Sequence, residues 1–336
     1  MSTQIILSLD YELFFGRQVG TVENCLIRPV DALLEATRHK NIKLVLFVDA
    51  GYLVRLKQEA SKHPVLLADY QRVHDHLKQL HALGHDIQLH IHPHWEDSYF
   101  SDAGWVVDTS RYKLHDFSAQ EISNIVAKYK RALTDIVGDN VFAFRAGGWC
   151  IQPFEKISEA LHYHGIWLDS TVYYQGLSKD AQRWFDFTQA PNKSRWFFED
   201  NPSTEAFDGN FLEIPISSCR ISPLFYWKMA VLKKLGGDGH KSFGDGAPMS
   251  YGGGYYLERL TQYTSSVASI DGAKAGFLLK AYQQNQAVGG TIFNVIGHPK
   301  ALSAYSIAQF CKFLNTVPDV ESVTFQNFKH LGKANI

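Results

Sequence analysis

The chain lacks the features that mark several simple functional classes. Its four cysteines, Cys25, Cys150, Cys219 and Cys311, are far apart, with no CxxC pair. That excludes a disulfide framework and a cysteine zinc knuckle and leaves ordinary reduced thiols. Charge of one sign is not in surplus: the formal net charge is -1, and the lysines and arginines are dispersed. The basic stripe that tracks phosphates is missing, so nucleic acid is not an expected partner. No run of about 18 apolar residues could span a bilayer. The opening MSTQIILSLD has no basic region, long apolar stretch or small-residue cleavage site, so the expectation is a cytoplasmic protein without a membrane span. A phosphate-binding loop is absent too: the glycine-rich GGDGHKSFGDG has no GK[ST] ending and follows a helix end, not a strand. No repeat or low-complexity linker divides the 336 residues, which suffice for a large core and are read as one domain over 1–336.

What is present is one design repeated, an apolar run that stops at a polar residue. The run 5–9 reaches Asp10, 43–48 reaches Asp49, 86–89 reaches His90, 141–144 reaches Arg145, 165–168 reaches Asp169, and 290–296 leads to His298. A further run, 211–216, holds Glu213, and 320–325 reads as an eighth or edge strand. Helical periodicity fills the gaps. Val30, Leu33, Leu34 and Thr37 share a face, as do Leu66, Leu67, Tyr70, Val73, Leu77, Leu80 and Leu83. Ser118 and Glu121 form a capping box ahead of Ile122, Ile125, Val126, Tyr129, Leu133 and Val137. Polar residues gathered at strand C-termini point to a parallel α/β barrel whose rim carries the site. Three stretches break the rhythm, 95–117, 172–210 and 236–254, and are read as loop insertions at that rim.

Two groups of residues carry chemistry. GHDIQLHIHPHW, residues 84–95, places His90, His92 and His94 at alternate positions of a strand end, where imidazoles serve as metal ligands or proton carriers. Asp10 and Glu12 flank Tyr11, so along an extended segment both carboxylates point to the same side. Trp95, Trp149 and Tyr173 are candidate platforms for a sugar ring.

In this order the motifs resemble the polysaccharide deacetylase family, the NodB-like carbohydrate esterases, over nearly the whole chain. Asp10-Tyr11-Glu12 is similar to that family's first motif, GHDIQLHIHPH to the second and FRAGGW at 144–149 to the third. Asp169 and His298 fall where the fourth and fifth motifs supply an aspartate and a histidine. The resemblance implies a distorted (β/α)7 barrel holding one divalent metal, usually zinc, with cobalt, nickel or manganese overlapping in ligand preference. It implies Asp10 as general base, Glu12, His90 and His94 as metal ligands, Arg145 as the residue that positions the base, and His298 as general acid tuned by Asp169.

The chain departs from the family pattern twice. Asp-x-Glu replaces two adjacent acids, so Glu12 must reach back with its extra methylene. Pro93 disfavours a helical conformation at His92, so His90 and His94 cannot share one continuous helix, and His92 stands as the alternative second ligand. The expected function is metal-dependent removal of acetyl from an N-acetylated sugar in surface polysaccharide biosynthesis, of O-antigen (lipopolysaccharide) or capsule type. The alternatives are a metal-independent barrel glycosidase with two carboxylates and a catalytically degenerate glycan-binding protein.

Overall fold

The computed structural model describes residues 3–248, 253–317 and 319–332. Residues 249–252, part of the glycine-rich stretch 236–254, lie outside the described residues. The chain forms two compact units, Met1–Ile42 with Ile216–Val323, and Lys43–Pro215 with Thr324–Ile336.

In the second unit the strands Leu44–Asp49, Asp86–Ile91, Ala143–Ala146, Leu168–Asp169 and Phe211–Glu213 lie side by side in that order, all parallel. Trp196–Phe198 runs antiparallel to the last of them. Every residue of Leu44–Asp49 and Asp86–Ile91 is buried. Leu44–Asp49 is accordingly a near-continuous apolar run, whereas Asp86–Ile91 buries Asp86, Gln88 and His90 between its apolar residues. Helices Ala50–Glu59, Val65–Ala82, Ala119–Val137 and Ser158–Tyr163 fill the crossovers. Ala119–Val137 buries Ile122, Ile125, Val126, Tyr129, Leu133 and Val137, the face that the periodicity predicts. Its first turn is closed by the reciprocal bonds of Ser118 and Glu121.

In the first unit Gln4–Tyr11 runs parallel to Ile292–Gly297, with Leu9 opposite Gly297. The start of Gln4–Tyr11 also pairs with Glu321–Ser322, which is shorter than the run 320–325. Helices Arg28–Thr37, Pro223–Leu235, Gly253–Thr261, Leu278–Ala287 and Ala304–Thr316 and the antiparallel ribbon of Ser218–Ile221 with Thr264–Val267 complete it.

The insertions have structure of their own. Within 95–117 a small hairpin joins Tyr99–Ser101 to Gly104–Val106, and the Arg111 guanidinium grips both oxygens of Asp97 at 2.5 and 2.9 Å. Within 172–210 a second hairpin joins Leu177–Ser178 to Phe185–Asp186. Parallel strands alternating with helices make a mixed α/β fold of the expected class. Among the described residues no helix is long and apolar enough to cross a membrane.

Candidate metal and acid–base site

Strand register in the second unit brings three polar residues to one level: Asp49 lies opposite His90, and His90 opposite Arg145. The His90 imidazole is buried, and its Nδ1 lies 2.8 Å from the Arg145 carbonyl. A carbonyl only accepts, so Nδ1 carries a proton, and in the neutral ring that makes Nε2 the ligating nitrogen, the tautomer of a metal-ligating histidine. His92 is extended at φ -109 and ψ 94, and Pro93 opens the short turn Pro93–Glu96, so no continuous helix joins His90 to His94. The three rings follow one another, with His92 and His94 edge-on at 5.4 Å. His92 stands edge-on to His90 with centroids 4.7 Å apart. His94 lies parallel to Tyr112 at 6.1 Å and packs on Trp95 at 5.2 Å. The loop after Arg145 leaves room for His92, because a Cβ on Gly147 would sit 2.6 Å from that ring.

Arg145 is fully buried. Its Nε donates to the Ser170 carbonyl at 2.7 Å and its Nη2 to Ser170 Oγ at 3.2 Å, while the guanidinium lies 4.1 Å from the Phe47 ring centroid. Asp169 accepts from Thr171 Oγ1 at 2.7 Å and from the Thr171 backbone N–H at 3.1 Å. Glu213, opposite Asp169 in the strand register, is also buried. Burial raises both carboxyls. Glu213, which also faces the Asp169 charge, is pushed well above the usual carboxylate range.

In the first unit both acids of Asp10-Tyr11-Glu12 reach the same imidazole, as alternation along a strand requires. His298 Nε2 lies 3.6 Å from Asp10 Oδ2 and 3.8 Å from Glu12 Oε1. The far side of His298 belongs to Asp271, whose Oδ2 takes the Nδ1 proton at 2.8 Å and whose Oδ1 accepts the His298 backbone N–H at 2.8 Å. The carboxylate bonded to His298 is therefore Asp271. Burial alone would drive the imidazolium off, but Asp271, then Asp10 and Glu12, overcome it and hold His298 up at about 9. Burial also opposes the Asp271 charge, and His298 with Lys274 keeps that carboxyl below its ordinary value.

Glu12 has a second partner that the sequence reading does not name. The Lys300 ammonium donates to Glu12 Oε1 at 2.9 Å and to the Leu13 carbonyl at 2.5 Å. It sits below 5 Å from the rings of Phe14 and Phe15. Lys300 is two residues past His298, so the turn that delivers the imidazole also delivers the ammonium. Asp271 has a sequence signal in retrospect, since the apolar stretch before it stops at an acid in the manner of the other strand ends.

The candidate aromatic platforms divide. Trp95 is buried, donates its indole N–H to Asp49 Oδ2 at 2.6 Å and packs on Tyr52 and Trp105, so it is a core residue with no open face. Tyr173 is buried beside Trp149, with centroids 5.4 Å apart. Trp149 is half-buried and stands at φ 61 directly after Gly148, itself at φ 61. A bulky residue in that region costs of order 1–3 kcal/mol, so the loop holds Trp149 in place against a local penalty.

No protein-family model and no curated protein matches the chain. Among solved structures, a GH57-type branching enzyme from the archaeon Pyrococcus horikoshii aligns with 100% of this chain and 71% of its own, at 10% identity and a TM-score of 0.50. A protein of Mycobacterium smegmatis assigned as a polysaccharide deacetylase covers 99% of this chain and 92% of its own, at 16% identity and a TM-score of 0.49. The polysaccharide deacetylase Bc1974 of Bacillus cereus covers 98% and 94%, at 11% identity and a TM-score of 0.44. At 10% identity the likeness to the branching enzyme is one of fold alone, a mixed α/β fold.

Proposed function

We propose that this chain is a metal-dependent deacetylase of an N-acetylated sugar, and that the sugar belongs to a surface-polysaccharide precursor of O-antigen or capsule type. The observation that carries the reading is the Asp271–His298 pair with Asp10 and Glu12 within 4 Å of the same imidazole. It supplies a charged proton donor beside a carboxylate base, and amide hydrolysis needs both.

The residues suit a divalent cation by donor chemistry. In the first unit Glu12 offers a buried carboxylate, and in the second His90 offers a buried imidazole bonded through Nδ1, with His94 or its alternative His92 as the further imidazole. Bound there, zinc or a similar ion would acidify a water and polarise the acetyl carbonyl.

Asp10 takes the proton of the attacking water as its oxygen bonds to the acetyl carbon. The family resemblance assigns Arg145 to positioning that base. His298 then donates its Nε2 proton to the departing nitrogen as the C–N bond breaks, giving acetate and a free amine. Trp149, held in its loop, is the remaining candidate for stacking on the sugar. The test is acetate release from N-acetylglucosamine oligomers by the purified protein, with and without chelator. Release abolished by chelation and restored by zinc supports the reading. Activity that survives chelation, with glycosidic bonds cut, favours a two-carboxylate glycosidase instead.

A further inference from the structure

Helix Pro223–Leu235 turns an apolar stripe to solvent. Leu224 is 78% exposed, Trp227 54%, Val231 53% and Leu235 77%. At about 100° per residue these four fall within an arc of about 80°. Lys228 and Lys234, both exposed, flank that arc on its two sides. The only charged residues in the helix sequence PLFYWKMAVLKKL are lysines. Beside it, helix Gly253–Thr261 adds Leu257, 65% exposed, and is joined by the Trp227 indole N–H donating to the Leu260 carbonyl at 3.1 Å. Arg220, just ahead of the helix, lies 4.8 Å from the ring of Tyr263. The acids in this neighbourhood include Glu258 and, three residues past Leu235, Asp238.

Soluble proteins seldom expose a contiguous row of large apolar side chains. An apolar stripe containing tryptophan and leucine, bordered by lysines whose stems can lie along it, has the composition of a helix that rests in the headgroup region of a bilayer. The charge decides between occupants. Across a two-fold axis a second copy would bring the same lysine-bordered stripe against itself, repelling where an anionic lipid surface attracts.

We infer that helix Pro223–Leu235 is a peripheral docking face for an anionic membrane surface, with Leu224, Trp227, Val231 and Leu235 entering the headgroup boundary and Lys228 and Lys234 meeting acidic lipid. The full-length protein is mixed with phosphatidylcholine vesicles, with and without phosphatidylglycerol, and followed by flotation. Wild type floats with the phosphatidylglycerol vesicles at low salt, not with phosphatidylcholine alone, and loses binding as salt rises. Lys228→Gln and Lys234→Gln each weaken it about fivefold, and the double variant Leu224→Ser/Leu235→Ser abolishes it. These side chains are largely exposed, so unchanged circular dichroism is expected and shows that the variants still fold. No flotation of wild type with phosphatidylglycerol vesicles, or equal flotation of wild type and variants, overturns the inference. A wild-type dimer in light scattering that Leu224→Ser/Leu235→Ser converts to monomer also overturns it, and gives the face to a second copy of the chain.

Discussion

Replacing Asp271 with asparagine tests the acid–base reading at its most exposed point. Asp271 is the nearest of the carboxylates that hold His298 at about 9, and it bonds Nδ1 at 2.8 Å. The rise from an ordinary histidine near 6.5 amounts to about 3 kcal/mol in favour of the imidazolium, and most of the favourable part comes from Asp271. Asp271→Asn preserves the size of the side chain and an oxygen for the backbone N–H of His298, but removes the charge. His298 then loses its proton at lower pH, so the alkaline limb of the deacetylation profile moves down by about 1 to 2 pH units. A cation bound beside Glu12 lowers the limb in both proteins, so the difference between them is the diagnostic quantity. Acetate release is measured from about pH 6 to pH 10 for wild type, Asp271→Asn and His298→Ala. The last should lose about two to four powers of ten at every pH. An alkaline limb that stays in place in Asp271→Asn refutes the assignment of His298 as an acid tuned by Asp271.

Other perturbations separate structural from chemical roles. Lys300→Met removes the 2.9 Å ion pair to buried Glu12. The metal-free variant should lose about 3 kcal/mol of stability in denaturant titration, with much of the loss recovered on adding zinc. His85 is buried, accepts the Leu44 N–H at Nδ1 and is lowered to about 4 by burial, then by Lys43 and His76. Its folded value lies below the unfolded one near 6.5, so the unfolded chain takes the proton first as pH falls. About 3 kcal/mol of stability is lost between about pH 6.5 and pH 4, and His85→Asn should flatten that part of the stability profile. In the Asp169–Glu213 pair, Glu213→Gln should change stability by less than about 1 kcal/mol, since burial and the Asp169 charge already disfavour the Glu213 carboxylate. Arg145→Met, which strips a buried cation from beside both acids, should cost about 3–5 kcal/mol. Equal losses in the two variants would show that Glu213 is ionised.

The sheet was legible because parallel strands buried on both faces must be written in apolar residues, and each such run stops where the backbone reaches the polar rim. Asp10, His90, Arg145 and Asp169 were found that way, and all sit at or beside the ends of the expected strands. Boundaries slipped where turn chemistry ruled: the run 165–168 shrinks to Leu168–Asp169 because Gly165, at φ 69, still closes the preceding helix. Partners across long sequence separations left little trace. Asp271 meets His298 because Ser269 bridges in parallel to Ile296, a pairing that no local pattern announces. Lys300 reads as an ordinary surface lysine until the turn Pro299–Ala301 folds it onto Glu12. The aromatic residues were the least legible class, since composition cannot tell a sugar platform from core. Trp95 belongs to the core because its indole N–H is spent on Asp49.

The central claim is most directly tested by elemental analysis of the purified full-length protein, read together with acetate release from N-acetylglucosamine oligomers. The account predicts close to one divalent ion per chain, lost together with activity in Glu12→Ala, in His90→Ala and in one of His94→Ala and His92→Ala. Absence of bound metal combined with no acetate release contradicts it.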